Sequence, residues 1–131
     1  LPVETLPVTP AGLADLAWLE TRLASWDVER DGRPVLALML ANNEVGAIQP
    51  VAAAAAMIHA QDGLVIVDAI QAVGKIAVDF AALGADYMAI SAHKFGGPQG
   101  IGALVGHWSW RSPSWINSQR WPAGAMPLRP A

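Results

Sequence analysis

Among its 131 residues the chain has no cysteine. That excludes disulfides, thiolate metal sites and a cysteine nucleophile within it. Lysine is scarce, with only Lys75 and Lys94 present. Long apolar runs are missing as well. The longest, "VLALMLA" (35–41) and "VAAAAAMI" (51–58), fall far short of the roughly 20 residues that cross a bilayer. The opening "LPVETLPVTP" carries Glu4 and no basic residue, so no signal peptide is visible and a cytoplasmic location is expected. Because the first residue is Leu1 rather than methionine, the true beginning is expected to lie upstream. A net charge of −3 offers no electrostatic footprint for nucleic acid or an anionic membrane, so neither is expected as a partner. No metal site is expected.

What remains is a core-rich composition, 53% hydrophobic and 15% charged, sized for one globular domain. It is not uniform. All 11 acidic residues lie at or before Asp86, so residues 1–105 carry a net charge of −6. Residues 106–131 carry +3, with four of the six tryptophans and four of the ten prolines. The chain therefore divides into a domain-like part, 1–105, and a tail of different character, 106–131. The tail has no clear periodicity and is expected to be poorly ordered.

Within 1–105, strands and helices alternate. "VETLPV" (3–8) is a possible strand and "TPAG" (9–12) a turn. Leu16, Leu19, Leu23 and Trp26 fall at helical spacing, with Asp15 as a cap. "ERDGRP" (29–34) predicts a turn. Strands are expected at 35–40, 64–67, 87–90 and 101–105, a short helical turn at 79–84, and an alanine-rich helix at 51–61. Pro50 is expected to open that helix as its first residue and Gly63 to close it. Apolar strands separated by helices predict an α/β fold whose mostly parallel sheet is covered on both faces.

In such a sheet, ligands bind outside the carboxyl ends of the strands. Here those ends carry Asn42, Asn43 and Glu44, then Asp68 and Gln71, then Ser91, His93 and Lys94. Each has a plainer explanation. Asp68 can cap the next turn, the Asn pair can build one, and Lys94 can be a solvated lysine or Asp68's ion-pair partner. Their coincidence at successive strand ends points to chemistry instead. A lysine partly withdrawn from water becomes a nucleophile and forms a Schiff base with an aldehyde. Pyridoxal phosphate needs that lysine together with a carboxylate at its pyridinium nitrogen.

Three segments in order, "LANNEVGAIQPV" (40–51), "VDAIQAVGK" (67–75) and "SAHKFGGPQGIGALV" (91–105), resemble the cysteine desulfurases of the class V aminotransferase family, in their NifS/IscS-like branch. The likeness covers about residues 1–105. It implies a pyridoxal-phosphate enzyme of the aspartate aminotransferase fold type, of which this chain would be a central part of the large domain. Lys94 then matches the lysine that binds the cofactor and moves the Cα proton, and Asp68 the partner of the pyridinium nitrogen. Gln71 and Asn43 match residues near the cofactor's 3-hydroxyl, and Ser91 and His93 match phosphate ligands. The resemblance further implies L-cysteine as substrate, alanine and an enzyme persulfide as products, a homodimer, and a scaffold protein that accepts sulfur for iron–sulfur clusters.

The departures are as informative. The family's first phosphate-binding loop, ring-stacking histidine, substrate arginine and sulfur-accepting cysteine have no match here, so this chain is expected to be inactive alone. After Val105 the family continues with glycine-rich chemistry, whereas this chain reads "GHWSWRSPSW". A reading-frame shift near Gly106 and a lineage-specific Trp-rich tail both account for that. Two other readings compete with a desulfurase: another class V enzyme, such as a selenocysteine lyase or an aminotransferase, and a non-catalytic remnant. "NNEVG" weighs against another class V enzyme.

Overall fold

In a computed structural model, residues 3–106 are described. Helix α1 (Leu16–Ala24) begins where Asp15 turns from extended backbone into the helix, its carboxylate accepting from the Trp18 N–H at 3.0 Å. The cap satisfies one of the donors that a first helical turn leaves unpaired. Leu19 and Leu23, one turn apart, are its buried residues. Trp26 lies beyond the helix. Its indole N–H donates to the Gly32 carbonyl at 2.7 Å, and the Arg22 guanidinium sits 4.6 Å over the ring.

The segment expected to be a turn at 29–34 contains one turn of helix, α2 (Val28–Asp31), because Asp27 caps it by accepting from the Glu29 and Arg30 N–H groups. The strand expected at 3–8 makes no ladder. Val8 forms an isolated bridge with Ala14, and Glu4 is held by Arg22 through two bonds of 2.6 and 2.7 Å. That bidentate contact keeps the Glu4 carboxyl below its ordinary range. A strand needs a neighbour to pair with, and the described residues supply none there.

Four strands form one sheet in the order β1-β2-β3-β4: β1 (Val35–Met39), β2 (Leu64–Asp68), β3 (Tyr87–Ser91) and β4 (Gly102–Gly106). The first three are parallel and the fourth antiparallel. Helix α3 (Val51–His59) crosses from β1 to β2, and the single turn α4 (Phe80–Leu83) from β2 to β3. Pro50 occupies the N-cap of α3 rather than its first position, and the helix ends at His59. Gly63 is not its C-cap. A Cβ there would come within 2.6 Å of the Pro34 carbonyl and the Ile58 side chain, so glycine lets β2 start tight against both.

The core lies between α1, α3 and one face of the sheet. Val51, Ala54, Ala55 and Ile58 of α3 meet Leu36, Val65, Val67 and Met88. Ala54 and Ala55 have no bulk to hold the helix off the sheet, which is why an alanine-rich helix suits this position. Each fully buried valine contributes about 2 kcal/mol.

Coverage of both faces, as the apolar strands predict, is not seen among the described residues. Val35, Ala37, Ile66 and Leu104 alternate with the core residues and stay exposed. Beside β1, the 3–8 segment and α1 enclose a cavity of about 680 Å³, lined by Leu6, Trp18, Trp26, Leu36 and Leu38 among others.

Candidate functional site

The parallel register decides which side chains can meet. Met39 lies opposite Asp68, and Asp68 opposite Ala89, so β1, β2 and β3 finish at one edge of the sheet. β4 runs back from the same edge, with Gly102 opposite Ser91. The loops after β1, β2 and β3 therefore emerge side by side.

Asp68 is the last residue of β2 and is exposed. Its Oδ1 accepts from the Ile70 N–H at 2.9 Å, so it does cap the following turn. Among the described residues its second oxygen has no partner. Ser91 ends β3, and its hydroxyl lies 2.9 Å from His93 Nδ1. A hydroxyl and an imidazole are thus held together two residues apart. Lys94 closes a single 3₁₀ turn, Ala92–Lys94, which starts directly after the strand. The residue is half-buried, and its amine has no hydrogen bond or ion pair with any described residue. The plain Asp68–Lys94 ion pair that the sequence permits is not formed.

The loop after β2 packs against this turn. Gly74 has φ +81°, and a Cβ on it would fall 2.5 Å from Phe95 Cβ. Only glycine accepts both the left-handed backbone and the close approach. Within the same loop, the Lys75 ammonium donates to Gln71 Oε1 at 2.6 Å. In the loop after β1, Asn42 builds the turn by accepting from the Glu44 and Val45 N–H groups. Asn43 is exposed and donates to Glu44 at 2.6 Å.

The six candidate residues therefore sit on adjacent loops at one sheet edge, but only Ser91 and His93 are in direct contact. Gln71 and Asn43 are hydrogen-bonded to near neighbours in their own loops. Neither the cavity beside β1 nor a second one of about 370 Å³, lined by Leu40, Pro50, Val78 and Leu83 among others, is bounded by Asp68, Gln71, Ser91, His93 or Lys94. Two supports of this edge were not legible in the sequence. Lys75 is the partner of Gln71, and its spacing of four residues was the available signal. Gln49 is buried, accepts from the Ala14 N–H at 2.7 Å and donates to the Gly12 carbonyl at 2.8 Å, tying the loop after β1 to the start of α1. Nothing in its surroundings in the sequence marks it.

At the carboxyl edge of this mostly parallel sheet lie a carboxylate with one oxygen unpartnered among the described residues, a lysine amine likewise unpartnered among them, and a hydroxyl–imidazole pair. The family model for aminotransferase class-V matches residues 1–113, and the chain belongs to that family. It is 42% identical over 102 residues to the cysteine desulfurase IscS of Aeromonas salmonicida, an alignment covering 78% of this chain and 24% of that protein. Among solved structures it resembles a NifS-like protein from Rickettsia africae, with 34% identity and a TM-score of 0.70 over 77% of this chain and 27% of the other. The cysteine desulfurase CsdA of Escherichia coli gives 30% identity and a TM-score of 0.68, over 78% and 24%. The fold is that of part of the large domain of the pyridoxal-phosphate fold-type-I enzymes. The chain spans about a quarter of the length of the relatives it matches.

Proposed function

We propose that this chain carries the lysine-bearing part of the cofactor site of a pyridoxal-phosphate-dependent cysteine desulfurase. The observation that carries the reading is the pair of groups at one sheet edge that lack partners among the described residues: the Lys94 amine and one carboxylate oxygen of Asp68. The donor set fits the cofactor on chemistry. An amine suits its aldehyde, a carboxylate its ring N–H, and a hydroxyl with an imidazole its phosphate.

When bound, pyridoxal phosphate supplies an aldehyde that bonds to a lysine amine and a pyridinium ring that withdraws electrons from a substrate's Cα. The chain's own residues have separate tasks. Lys94 would hold the cofactor through its amine and would be the group that exchanges a proton at the substrate's Cα. Asp68 would keep the ring nitrogen protonated through the oxygen that has no partner among the described residues, while Ile70 N–H fixes its other oxygen. Ser91 and His93, oriented by each other, would hold phosphate oxygens. Gln71 and Asn43 would serve the ring's 3-oxygen.

L-cysteine is the substrate of this reading, and a thiolate must receive its sulfur to leave alanine. This chain has no cysteine, so the acceptor belongs to other sequence. The homodimer and the scaffold protein that takes up sulfur are part of the same proposal, as is the division of the chain at residue 105.

Titration of the 131-residue chain with pyridoxal phosphate tests the reading. A saturable visible absorbance band that Lys94→Ala abolishes is the expected result. A band unchanged in Lys94→Ala would overturn it.

A further inference from the structure

Resting on the cofactor reading above, one contact of the loop after β2 is not used by it. Lys75 Nζ donates to Gln71 Oε1 at 2.6 Å. An ammonium has donors and no acceptor, whereas a glutamine amide has one of each kind of end. The contact therefore settles which end of Gln71 faces Lys75. The oxygen is taken, and the amide nitrogen, with its two N–H donors, has no partner among the described residues. Gln71 is half-buried and Lys75 exposed, so the charge stays in water while it orients a less accessible amide.

The loop is also placed against the lysine turn. Gly74, the residue before Lys75, abuts Phe95, the residue after Lys94. Gln71 and Lys75 thus lie in a segment whose position is set by direct packing on the turn that carries the reactive amine.

We infer that Lys75 is a positioning residue, fixing the Gln71 amide so that it offers N–H donors, not its carbonyl, to the 3-oxygen of the cofactor. A ring oxygen is an acceptor, and it is stabilised by N–H but repelled by a carbonyl. Without Lys75 the amide can turn over, and half of its orientations become unfavourable to that oxygen. The arrangement has a second effect. Of the two lysines, Lys75 is engaged with Gln71 and Lys94 has no partner among the described residues, which directs the aldehyde to Lys94.

The test uses the whole chain with Lys75→Met, which keeps the apolar stem and removes the donor, and Lys75→Arg, which restores a donor. Without ligand, the side-chain amide resonances of Gln71 are expected to move in Lys75→Met and to return toward wild type in Lys75→Arg. Unmoved resonances would show that the lysine does not orient the amide. With ligand, pyridoxal phosphate and its 3-deoxy analogue are titrated against each variant. Lys75→Met is expected to lose about tenfold of the preference for the 3-hydroxyl compound, and Lys75→Arg to keep most of it. An undiminished preference in Lys75→Met would overturn the inference even though the cofactor binds. If wild-type chain takes up neither compound, the cofactor reading fails, and the inference about the 3-oxygen fails with it; the resonance measurement still reports separately on the Lys75–Gln71 contact.

Discussion

Asp68 shows how a plain structural role and a functional one can share a side chain. Its Oδ1 caps the turn at Ile70, and that alone would justify an aspartate at the end of β2. The second oxygen is what the cofactor reading requires. Asp68→Asn preserves a capping oxygen while removing the negative charge. It should leave covalent attachment at Lys94 intact and slow exchange of the α-proton of a bound amino acid by about 100-fold or more, since a fixed charge aimed at the reacting system is worth several kcal/mol. Exchange at the normal rate would reduce Asp68 to a cap. At this scale the sequence was informative about identity and less so about environment. The strand-end positions of Lys94, Asp68, Ser91 and His93 were legible because they follow apolar strands in order. The extent to which Lys94 is withdrawn from water was not: it is half-buried among the described residues. No role for Lys75 was read from the sequence, because which amide it touches depends on how the loop after β2 folds.

Among the elements, the loop after β2 and the turn after β3 form one unit through Gly74 and Phe95. Substituting Gly74→Ala adds a methyl within 2.5 Å of Phe95 Cβ and demands φ +81° from a residue with a side chain. A cost of about 1–3 kcal/mol is expected from the clash and the strained backbone. The thermal midpoint should fall, and cofactor uptake should weaken beyond what stability explains, because the displaced turn carries Lys94. A Gly74→Ala chain with wild-type stability and uptake would separate the two loops. The strands and helices themselves were largely legible. Continuous apolar runs gave β1 to β3, and Asp15 and Asp79 both cap helices by accepting from first-turn N–H groups. What failed was the inference from local pattern to partner. "VETLPV" has strand composition but no strand to pair with among the described residues, and 28–31 winds into a helical turn because Asp27 supplies two acceptor contacts. The short 3₁₀ turn at Lys94 had no periodic signature at all.

At the scale of the whole molecule, the sheet face bearing Val35, Ile66 and Leu104 and the outer edge of β1 are open among the described residues. Unpaired edges and exposed apolar faces favour association. None of the described helices is long and apolar enough to cross a membrane. The expectations for the tail, poor order or a shifted reading frame, lie outside the described residues. Sulfur transfer also requires a thiolate, and the chain has none. Supplied with pyridoxal phosphate and L-cysteine, the purified chain should release no alanine above a protein-free control. Cofactor-dependent alanine formation by this chain alone would show that the acceptor is not the missing part.

Lys94 is the residue proposed to meet the cofactor, and the chain offers a clean internal comparison because it has two lysines. Reduction with borohydride in the presence of pyridoxal phosphate, followed by peptide mapping, fixes the aldehyde wherever it has bonded. The expected result is a single modified peptide containing Lys94, with Lys75 unmodified and held against Gln71. Modification at Lys75, or equal modification of the two, would contradict the assignment of the site.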